Sequence, residues 1–435
     1  MTVKFVRLHP KNPLLGWVEA RLPWLSFVSA HTATYYVPQN LNIWYLFGAL
    51  AGVALVNQLL TGIFLAMHFK PSAAEAFSSV EYIMRDVPWG WLIRYMHSTG
   101  ASLFFFVVYL HMFRALLYGS YKKPRELVWV LGMLVYLVLM AEAFMGYVLP
   151  WGQMSFWGAK VIISLFGAVP VVGDGLTEWI MGDYLPGDAT LNRFFALHVI
   201  ALPLVLLLLV TIHILALHEV GSNNPDGVEI SDHLDARGIP LDGIPFHPYY
   251  SVEDTLSTAI FLLAGAFIIF YVPTFGGWFL EHDNFIEANR LVTPEHIKPV
   301  WYFTPYYAML RVVPSFLGLK LWGVLVMFVA VAVLFFMPWI DRGRVKSIRY
   351  RGLGYKIALA TFALSFLMLG AIGAGVIAGL IQHWFGPDVD ANRIETWFGR
   401  LWTVAYFSYF AFVWIYTHFG FEKTRPVPER LARHP

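Results

Sequence analysis

Four histidines within two long apolar stretches constrain the fold of this chain more than any other feature of its sequence. His97 and His111 stand 14 residues apart in the first stretch, and His198 and His213 stand 15 apart in the second. Along an α-helix, 14 residues rise about 21 Å and fall only about 40° short of four full turns. The first two imidazoles are therefore expected on one helix face, at two depths of a hydrocarbon core about 30 Å thick.

The composition indicates a membrane protein. The chain has 435 residues, of which 58% are hydrophobic and 13% are charged, about half the roughly 25% charged residues of a soluble domain. A net charge of +2 without a basic stripe argues against nucleic acid as a partner. Apolar runs recur at close to the ~20 residues that a spanning helix needs. We therefore expect an all-α integral membrane protein with eight transmembrane helices, at about 41–67, 93–117, 127–149, 194–217, 255–272, 319–340, 355–380 and 397–418.

Loop charges predict how the chain is oriented in the lipid bilayer. Lys122, Lys123 and Arg125 follow the second span, and residues 341–351 carry five further basic side chains. Eight spans put both termini on the side of these loops, and the positive-inside rule makes that side cytoplasmic. The loop 218–254 belongs to the same side although it is acidic, because acidic residues count little in this rule.

In this topology the second and fourth spans run in the same direction, so the first histidines of the two stretches pair near the outer face and the second ones near the inner face. Ionisable side chains inside a membrane are costly and usually functional, although a single histidine is as often a hydrogen-bonded packing residue. Two pairs at two depths predict two non-covalent b-type haems. The chain has no cysteine, which excludes a thioether-attached haem or an iron–sulfur cluster held by this chain. The expected iron ligands are His97, His198, His111 and His213.

Glycines repeat the histidine interval in the first and third spans, where each pair is also 14 residues apart. A haem edge against a helix backbone requires a position without a side chain; close helix packing is the alternative. One arginine also lies three residues outside each histidine of the first stretch. Such a guanidinium suits a haem propionate, or simply reaches the membrane interface. The candidate haem-contact residues are Gly48, Gly62, Gly132, Gly146, Arg94 and Arg114.

At these residues, and at PWGQMSFWGA (150–159) and PVWY (299–302), the sequence resembles cytochrome b of the bacterial cytochrome bc complexes. The resemblance runs from about residue 40 to the C-terminal tail. It implies a quinol–cytochrome c reductase subunit that oxidises quinol at an outer pocket and reduces quinone at an inner one. One electron crosses the membrane through the two haems, which contributes to proton translocation. Implied partners are a Rieske iron–sulfur protein, a membrane-anchored cytochrome c subunit and a second copy in a homodimer, in the bacterial inner membrane.

The resemblance also assigns residues to the two pockets. At the inner, quinone-reducing pocket it points to His218, just after the fourth span, and to Asp254, at the start of the fifth. Both are chemically suited to relay protons. Glu253 precedes Asp254 where many relatives have lysine, which makes this region more negative. The matching positions of the outer, quinol-oxidising pocket are Phe144, Met145, Tyr147, Gly158, Pro299, Trp301 and Tyr302.

One departure from the family pattern affects the outer pocket directly. Many relatives have PEWY where this chain has PVWY, so Val300 replaces a carboxylate thought to accept a quinol proton. Glu295 lies five residues upstream and is a candidate substitute, with an ordinary solvated loop acid as the alternative. The third span carries another carboxylate, Glu142, whose alternatives are a proton-pathway role and a hydrogen bond to a neighbouring helix.

The second departure is the interval of 15 residues between His198 and His213, where mitochondrial-type relatives have 14. One extra residue rotates the second imidazole by about 100° unless the helix adjusts. Pro203 lies between them and removes a backbone donor, so a kink or π-bulge is expected there. We predict the distortion between Leu202 and Leu208.

These patterns divide the chain into five expected parts and leave two rival functions. A di-haem membrane anchor that conducts electrons for a dehydrogenase would share the histidines but not the two pocket segments. A secondary transporter with histidine proton relays would bind no haem, and the internal repeats typical of that class are absent from the sequence. The expected parts are an interfacial amphipathic segment (1–40), a di-haem four-helix bundle (41–220), a cytoplasmic loop (221–254), a four-helix part completing the outer pocket (255–418) and a cytoplasmic tail (419–435).

Overall fold

The structure is a computed structural model that describes residues 7–316 and 321–431. In these ranges the chain is mainly α-helical, and a two-stranded antiparallel sheet pairs β1 (Tyr36–Pro38) with β2 (Gly243–Pro245). The α-helices are α1 Pro13–Arg21, α2 Trp24–His31, α3 Phe47–Ala66, α4 Ala76–Arg85, α5 Gly90–Tyr118, α6 Glu126–Val148, α7 Gln153–Ser164, α8 Gly173–Met181, α9 Asp188–Ala196, α10 Leu202–Val220, α11 Tyr249–Tyr271, α12 Thr304–Val312, α13 Leu321–Phe335, α14 Met337–Ile340, α15 Leu353–Gly373, α16 Val376–Phe385 and α17 Ala391–His418.

Within the described residues, six continuous helical segments are long and apolar enough to cross a membrane, which confirms the all-α membrane fold. The other two expected spans correspond to α13 with α14, whose predicted start at 319 lies outside the described residues, and to the 28-residue α17. The count of eight is therefore consistent with the structure. The six segments are Ile43–Ala66, Gly90–Tyr118, Glu126–Val148, Asp188–Val220, Tyr249–Tyr271 and Leu353–Gly373.

The seventh expected span, 355–380, is interrupted. Helix α15 ends at Gly373 and α16 begins at Val376, with Gly375 between them at φ +79°. This left-handed conformation costs glycine little because it has no Cβ. The chain therefore turns at Gly375, and the apolar run continues as a separate short helix.

The first four spans pack as two pairs, α3 against α5 and α6 against α10, and the C-terminal helices α12, α15 and α17 pack on one another. The two halves meet through aromatic side chains. Tyr302 stacks on Phe105 with ring centroids 3.9 Å apart, and Tyr109 donates a hydrogen bond of 2.6 Å to the carbonyl of Tyr302. Because these rings are buried, they hold the segment 299–302 against the histidine-bearing helix α5.

The extra residue between His198 and His213 is accommodated by a π-helical turn, but not where the sequence analysis placed it. The π-helix covers Leu197–Ala201, and the helix is regular from Leu202 onward, so the predicted position of 202–208 was wrong. Pro203 lacks the N–H that would bond the carbonyl of Val199, and its ring crowds that carbonyl. The disturbance therefore falls in the turn before the proline.

A buried ionic cluster joins three segments at the end of the bundle that carries the basic loops. Arg351 contacts both Asp341 (2.5 Å) and Glu422 (2.7 Å), and Lys122 lies 2.8 Å from Asp341. Burial alone would raise the pKa of Asp341, but Lys122 and Arg351 outweigh it and lower that pKa to about 2. Burial lowers the pKa of Lys122 to about 8. Four charges buried together compensate one another and hold the loops to the tail.

The acidic loop that departed from the charge rule neutralises its basic neighbours. Glu229 accepts two hydrogen bonds from the guanidinium of Arg125, at 2.7 and 2.8 Å, and also pairs with Lys346. Asp226 pairs with Arg349 at 2.9 Å. The loop 218–254 therefore lies at the same end of the bundle as the two basic loops, as the eight-span topology requires.

The N-terminal segment consists of two short helices, α1 and α2, with large apolar side chains exposed. Trp17 and Trp24 are each 57% exposed, and Leu14 is 71% exposed. Such a surface suits a membrane interface, so the interfacial role stays a prediction for the described part of 1–40. Residues 1–6, and residues 432–435 of the expected tail, lie outside the described residues.

Candidate functional site

The first histidines of the two apolar stretches face each other between α5 and the π-helical turn. The ring centroids of His97 and His198 are 6.2 Å apart. Thr61 and the Nδ1 of His97 are hydrogen-bonded at 2.9 Å, and the Nδ1 of His198 lies 2.9 Å from the carbonyl oxygen of Glu142. These bonds occupy the Nδ1 atoms and leave Nε2 as the free ligating nitrogen on each ring.

The second histidines form a matching pair about four helical turns away. The ring centroids of His111 and His213 are 6.3 Å apart. An imidazole nitrogen binds a metal at about 2.0–2.1 Å with its ring centre about 1.2 Å behind it, so two axial imidazoles on one iron have centres roughly 6.4 Å apart. Both pairs therefore have the separation that a bis-histidine haem requires.

Each of the four glycines faces one of the four histidines. A Cβ on Gly62 would lie 3.2 Å from the ring of His97, and a Cβ on Gly146 would overlap the ring of His198. Gly48 stands in the same relation to His111, at 3.1 Å, and Gly132 to His213, at 3.1 Å. The glycine interval thus reflects close approach of the helix backbone to each imidazole, which leaves room for a flat macrocycle.

The two arginines lie beside the histidine pairs. Arg94 lines the cavity that contains His97 and His198. Arg114 lies 3.4 Å from the Nδ1 of His111, and its Nε is buried without a hydrogen-bond partner among the described residues. A buried guanidinium with an unsatisfied donor fits an anionic group such as a haem propionate.

In residues 7–316 and 321–431 there is no group of three or more histidine, cysteine or acidic side chains able to hold a bare metal ion. Two-histidine sites agree with haem, since a porphyrin supplies the four remaining nitrogen ligands. The donor set of this chain therefore fits haem and not a protein-ligated ion.

Glu142 contacts one of these histidines directly. Its Oε1 lies 3.0 Å from the Nδ1 of His198, while its Oε2 is buried without a hydrogen-bond partner among the described residues. Of the two alternatives drawn from the sequence, the structure therefore shows a bond to a neighbouring helix. The carboxylate sits behind a candidate iron ligand, the position from which it can change the donor strength of that imidazole.

A large apolar cavity of about 1300 Å³ lies next to the outer histidine pair. Tyr147 and Val300 line both this cavity and the smaller one, of about 210 Å³, that contains His97 and His198. We call the large one the outer cavity. Among the residues assigned to the quinol pocket, those that line the outer cavity are Phe144, Met145, Tyr147, Gly158 and Pro299.

Two other residues of that pocket lie on the side of the histidines. Tyr302 lines the smaller cavity, and Trp301 donates a hydrogen bond of 3.2 Å to Ser102, which lines the same cavity. The PVWY segment thus forms the wall between the two cavities. Its Pro299 faces the outer cavity, and its Tyr302 faces the histidine pair.

The structure distinguishes two carboxylates near the outer cavity. Glu295 is exposed, and its neighbours Ile297 and Lys298 line the cavity while Glu295 does not. Glu281, which no sequence motif singles out, is 6% exposed and accepts a hydrogen bond of 3.0 Å from the hydroxyl of Tyr147. No sequence spacing relates these two partners, which are 134 residues apart.

At the opposite end of the bundle, His218 is paired with a histidine that the sequence analysis missed. The Nδ1 atoms of His31 and His218 are 2.7 Å apart, and Tyr35 stacks on the ring of His218 with centroids 4.3 Å apart. Tyr35 also packs in a buried cluster with Tyr250, and Asp254 follows Tyr250 by one turn of α11. These contacts bring the N-terminal segment to the end of the bundle expected to reduce quinone.

Comparisons with known proteins agree with this geometry. Residues 32–221 match the family "Cytochrome b/b6/petB", and residues 287–407 match "Cytochrome b(C-terminal)/b6/petD". The chain is 53% identical to the cytochrome b of Allochromatium vinosum over 426 residues, which cover 97% of this chain and 99% of that one. It is 47% identical to the cytochrome b of Rhodospirillum rubrum over 421 residues, with 97% and 96% covered.

A solved structure described as a hyperthermophilic respiratory Complex III matches with a TM-score of 0.82 at 33% identity, covering 93% of this chain and 99% of that one. The similarity therefore extends over both halves of the fold and both cavities. On the paired histidines, the glycines that face them and these end-to-end matches, the chain belongs to the cytochrome b family.

Proposed function

We propose the following mechanism for this chain as the cytochrome b of a quinol–cytochrome c reductase. His97 and His198 hold one b-type haem near the outer face, and His111 and His213 hold a second near the inner face. Each haem supplies a one-electron redox centre. The observation that carries the proposal is the repeated separation of 6.2 and 6.3 Å between paired imidazoles on the same two helical segments.

The side chains around each pair orient the imidazoles and balance charge. Thr61 and the Glu142 carbonyl fix the Nδ1 atoms of the outer pair, which presents Nε2 to the iron. Arg94 and Arg114 neutralise propionates at the outer and inner sites. The glycines Gly48, Gly62, Gly132 and Gly146 keep the adjacent helix backbones clear of side chains.

The outer cavity binds quinol and oxidises it. Phe144, Met145 and Gly158 form apolar walls that suit an isoprenoid quinol, and Tyr147 offers a hydroxyl to its ring. Oxidation releases two electrons and two protons; an iron–sulfur partner would accept one electron, and a haem held by His97 and His198 would accept the other. Tyr302, which is buried, and Trp301, which is partly buried, hold the wall between the cavities in place.

The inner pocket reduces quinone at the end of the bundle that carries His218 and Asp254. The Nδ1 of His218 lies 2.7 Å from the Nδ1 of His31, so a proton can pass between the two imidazoles. Asp254 is half-buried at the start of α11 and is exposed enough to exchange protons with solvent. These three residues are the proposed proton donors to the reduced quinone.

The function requires partners, because a chain without cysteine supplies no iron–sulfur cluster and no thioether-attached haem. We propose a Rieske protein, a membrane-anchored cytochrome c subunit and a second copy of this chain. The proposed location is the bacterial inner membrane with both termini cytoplasmic. The clustering of the basic loops and the tail at one end of the bundle supports that orientation.

Haem extraction and a redox titration of the purified complex test the proposal. We expect two non-covalent b-type haems per chain with separable midpoint potentials, and quinol-dependent reduction of cytochrome c. One haem per chain would contradict the pairing and favour a different electron-conducting role. A complex without b-type haem would contradict the assignment altogether.

A further inference from the structure

The chain lacks a carboxylate at position 300, yet it buries one nearby in a different segment. Glu281 precedes the short helical turn His282–Phe285 and is 6% exposed. The residues around it, Phe279, Leu280 and Asn284, line the cavity of the outer histidine pair. A buried acid without an ion pair is expensive in an apolar wall, which indicates a role.

The hydroxyl of Tyr147 connects this acid to the outer cavity. It donates a hydrogen bond of 3.0 Å to the Oε2 of Glu281, while the side chain of Tyr147 lines the cavity proposed to hold quinol. The next two residues after the acid, His282 and Asp283, are exposed. The carboxylate therefore lies one hydrogen bond from the cavity, in a segment whose following residues reach the protein surface.

The surroundings of the Glu281 carboxylate bring its pKa close to neutral pH. Burial is the main reason that the pKa of Glu281 is raised, and Asp283 adds to the rise. The Tyr147 hydrogen bond and Lys298 oppose it, and the resulting pKa is about 7. These groups and Tyr302 are the titratable side chains that face it. An acid with a pKa near the working pH both accepts and releases a proton readily.

We propose that Glu281 accepts the quinol proton at the outer pocket through the hydroxyl of Tyr147, in place of the carboxylate that Val300 replaces. This inference rests on the proposed function. One quinol O–H bond breaks and its proton joins the oxygen of Tyr147, as the hydroxyl proton of Tyr147 moves to Oε2 of Glu281. The other quinol O–H gives up its proton and one electron to the iron–sulfur partner, a haem held by His97 and His198 would accept the second electron, and Glu281 then releases its proton to solvent.

The test uses the purified complex carrying Glu281→Gln, with quinol-dependent cytochrome c reduction measured from pH 5.5 to pH 9. We expect the rate at pH 7 to fall at least about 10-fold. The rise in rate as pH increases through about 7, expected for a base of that pKa, should disappear. Glu287→Gln, which removes an exposed acid from the same loop, should keep the rate and the pH profile.

Two further variants keep the proposal testable where Glu281→Gln alone is ambiguous. Tyr147→Phe retains the ring but breaks the relay, so it should lower the rate and remove the same pH dependence. Adding Val300→Glu to Glu281→Gln restores a carboxylate in the wall and should recover part of the rate. A double variant that assembles with both haems but recovers nothing would count against the proton role.

The two levels of the proposal fail differently. A wild-type rate and pH profile in a Glu281→Gln complex with both haems would overturn the role of Glu281 and leave the proposed function standing. A wild-type complex without two b haems, or without quinol-dependent reduction of cytochrome c, would overturn the proposed function itself.

Discussion

Gly146 leaves no room for a side chain beside His198: a Cβ at this glycine would overlap the imidazole ring. The two residues come from different helical segments, α6 and the π-helical turn Leu197–Ala201. The contact therefore measures how closely the third span approaches the outer histidine pair. Any atom added at Gly146 must displace the imidazole that we propose as an iron ligand.

We expect Gly146→Val to abolish the outer haem and retain the inner one, so that the b-type haem content falls by half. The displaced imidazole of His198 loses its alignment with His97, and the macrocycle loses its space. Haem extraction and redox titration of the purified complex provide the measurement. Gly52→Val on α3 is the matched control, because a Cβ at Gly52 meets nothing within 4 Å. A Gly146→Val complex with two haems of normal potential would refute the close-approach argument.

Glu142→Gln should raise the midpoint potential of the outer haem by tens of millivolts. A carboxyl group bonded to a ligating imidazole makes it a stronger electron donor, which favours oxidised iron, and an amide at this position is a weaker hydrogen-bond acceptor for His198. The potential of the inner haem should not change. Glu126→Gln, at the other end of the same helix, is the control. Equal potentials in the variant and the parent would show that the contact of 3.0 Å has no electronic effect.

His31→Ala should slow proton transfer at the inner pocket, in either direction, by about 10-fold. The substitution removes the imidazole that lies 2.7 Å from the Nδ1 of His218. The rate is read as quinol-driven haem reduction through the inner pocket, in complex depleted of the iron–sulfur partner so that the outer route is closed. His9→Ala, an exposed histidine of the same segment, should have no effect. An unchanged rate in His31→Ala would limit His31 to a packing role.

Asp341→Asn should destabilise the complex by about 3–5 kcal/mol, because it leaves Arg351 and Lys122 buried without their shared counter-charge. Thermal loss of haem absorbance in detergent measures the change, with the exposed Asp232→Asn as control. The pKa of Asp341 is about 2 in the fold against an ordinary 3.8. Its stabilising contribution is therefore complete above about pH 4 and is lost as the pH falls through 2. A variant as heat-stable as the parent would contradict this account.

Most of the histidine-bearing part of the fold could be predicted from the sequence. The interval of 14 residues lies within one helix. The sequence alone therefore predicted which glycines share a helix face and which histidines do. The π-helical turn was foreseen in kind but misplaced. Pro203 shows, from the sequence alone, that one backbone hydrogen-bond donor is missing. The packing of the preceding turn decides where the helix adjusts to that loss.

At the outer pocket, nearness in sequence did not identify the acid that is buried there. Glu295 is a candidate because it is near Val300 in sequence, with a solvated loop acid as the alternative, and the structure shows it exposed. Glu281 lies farther from Val300 in the sequence, but its side chain is buried and hydrogen-bonded to Tyr147. His31 was missed at the inner pocket for the same reason, since its partner His218 is 187 residues away.

The sequence by itself determined that this chain is an all-helical membrane protein with paired histidines at two depths, because hydropathy and helical periodicity act over one or two turns. Only the tertiary structure decided which acid is hydrogen-bonded to Tyr147 at the outer cavity, which histidine meets His218 and how the acidic loop is neutralised. Burial and hydrogen bonding at those sites depend on segments that meet only when the bundle is closed. A residue's desolvation, and with it its chemistry, is therefore set by packing rather than by its neighbours in sequence.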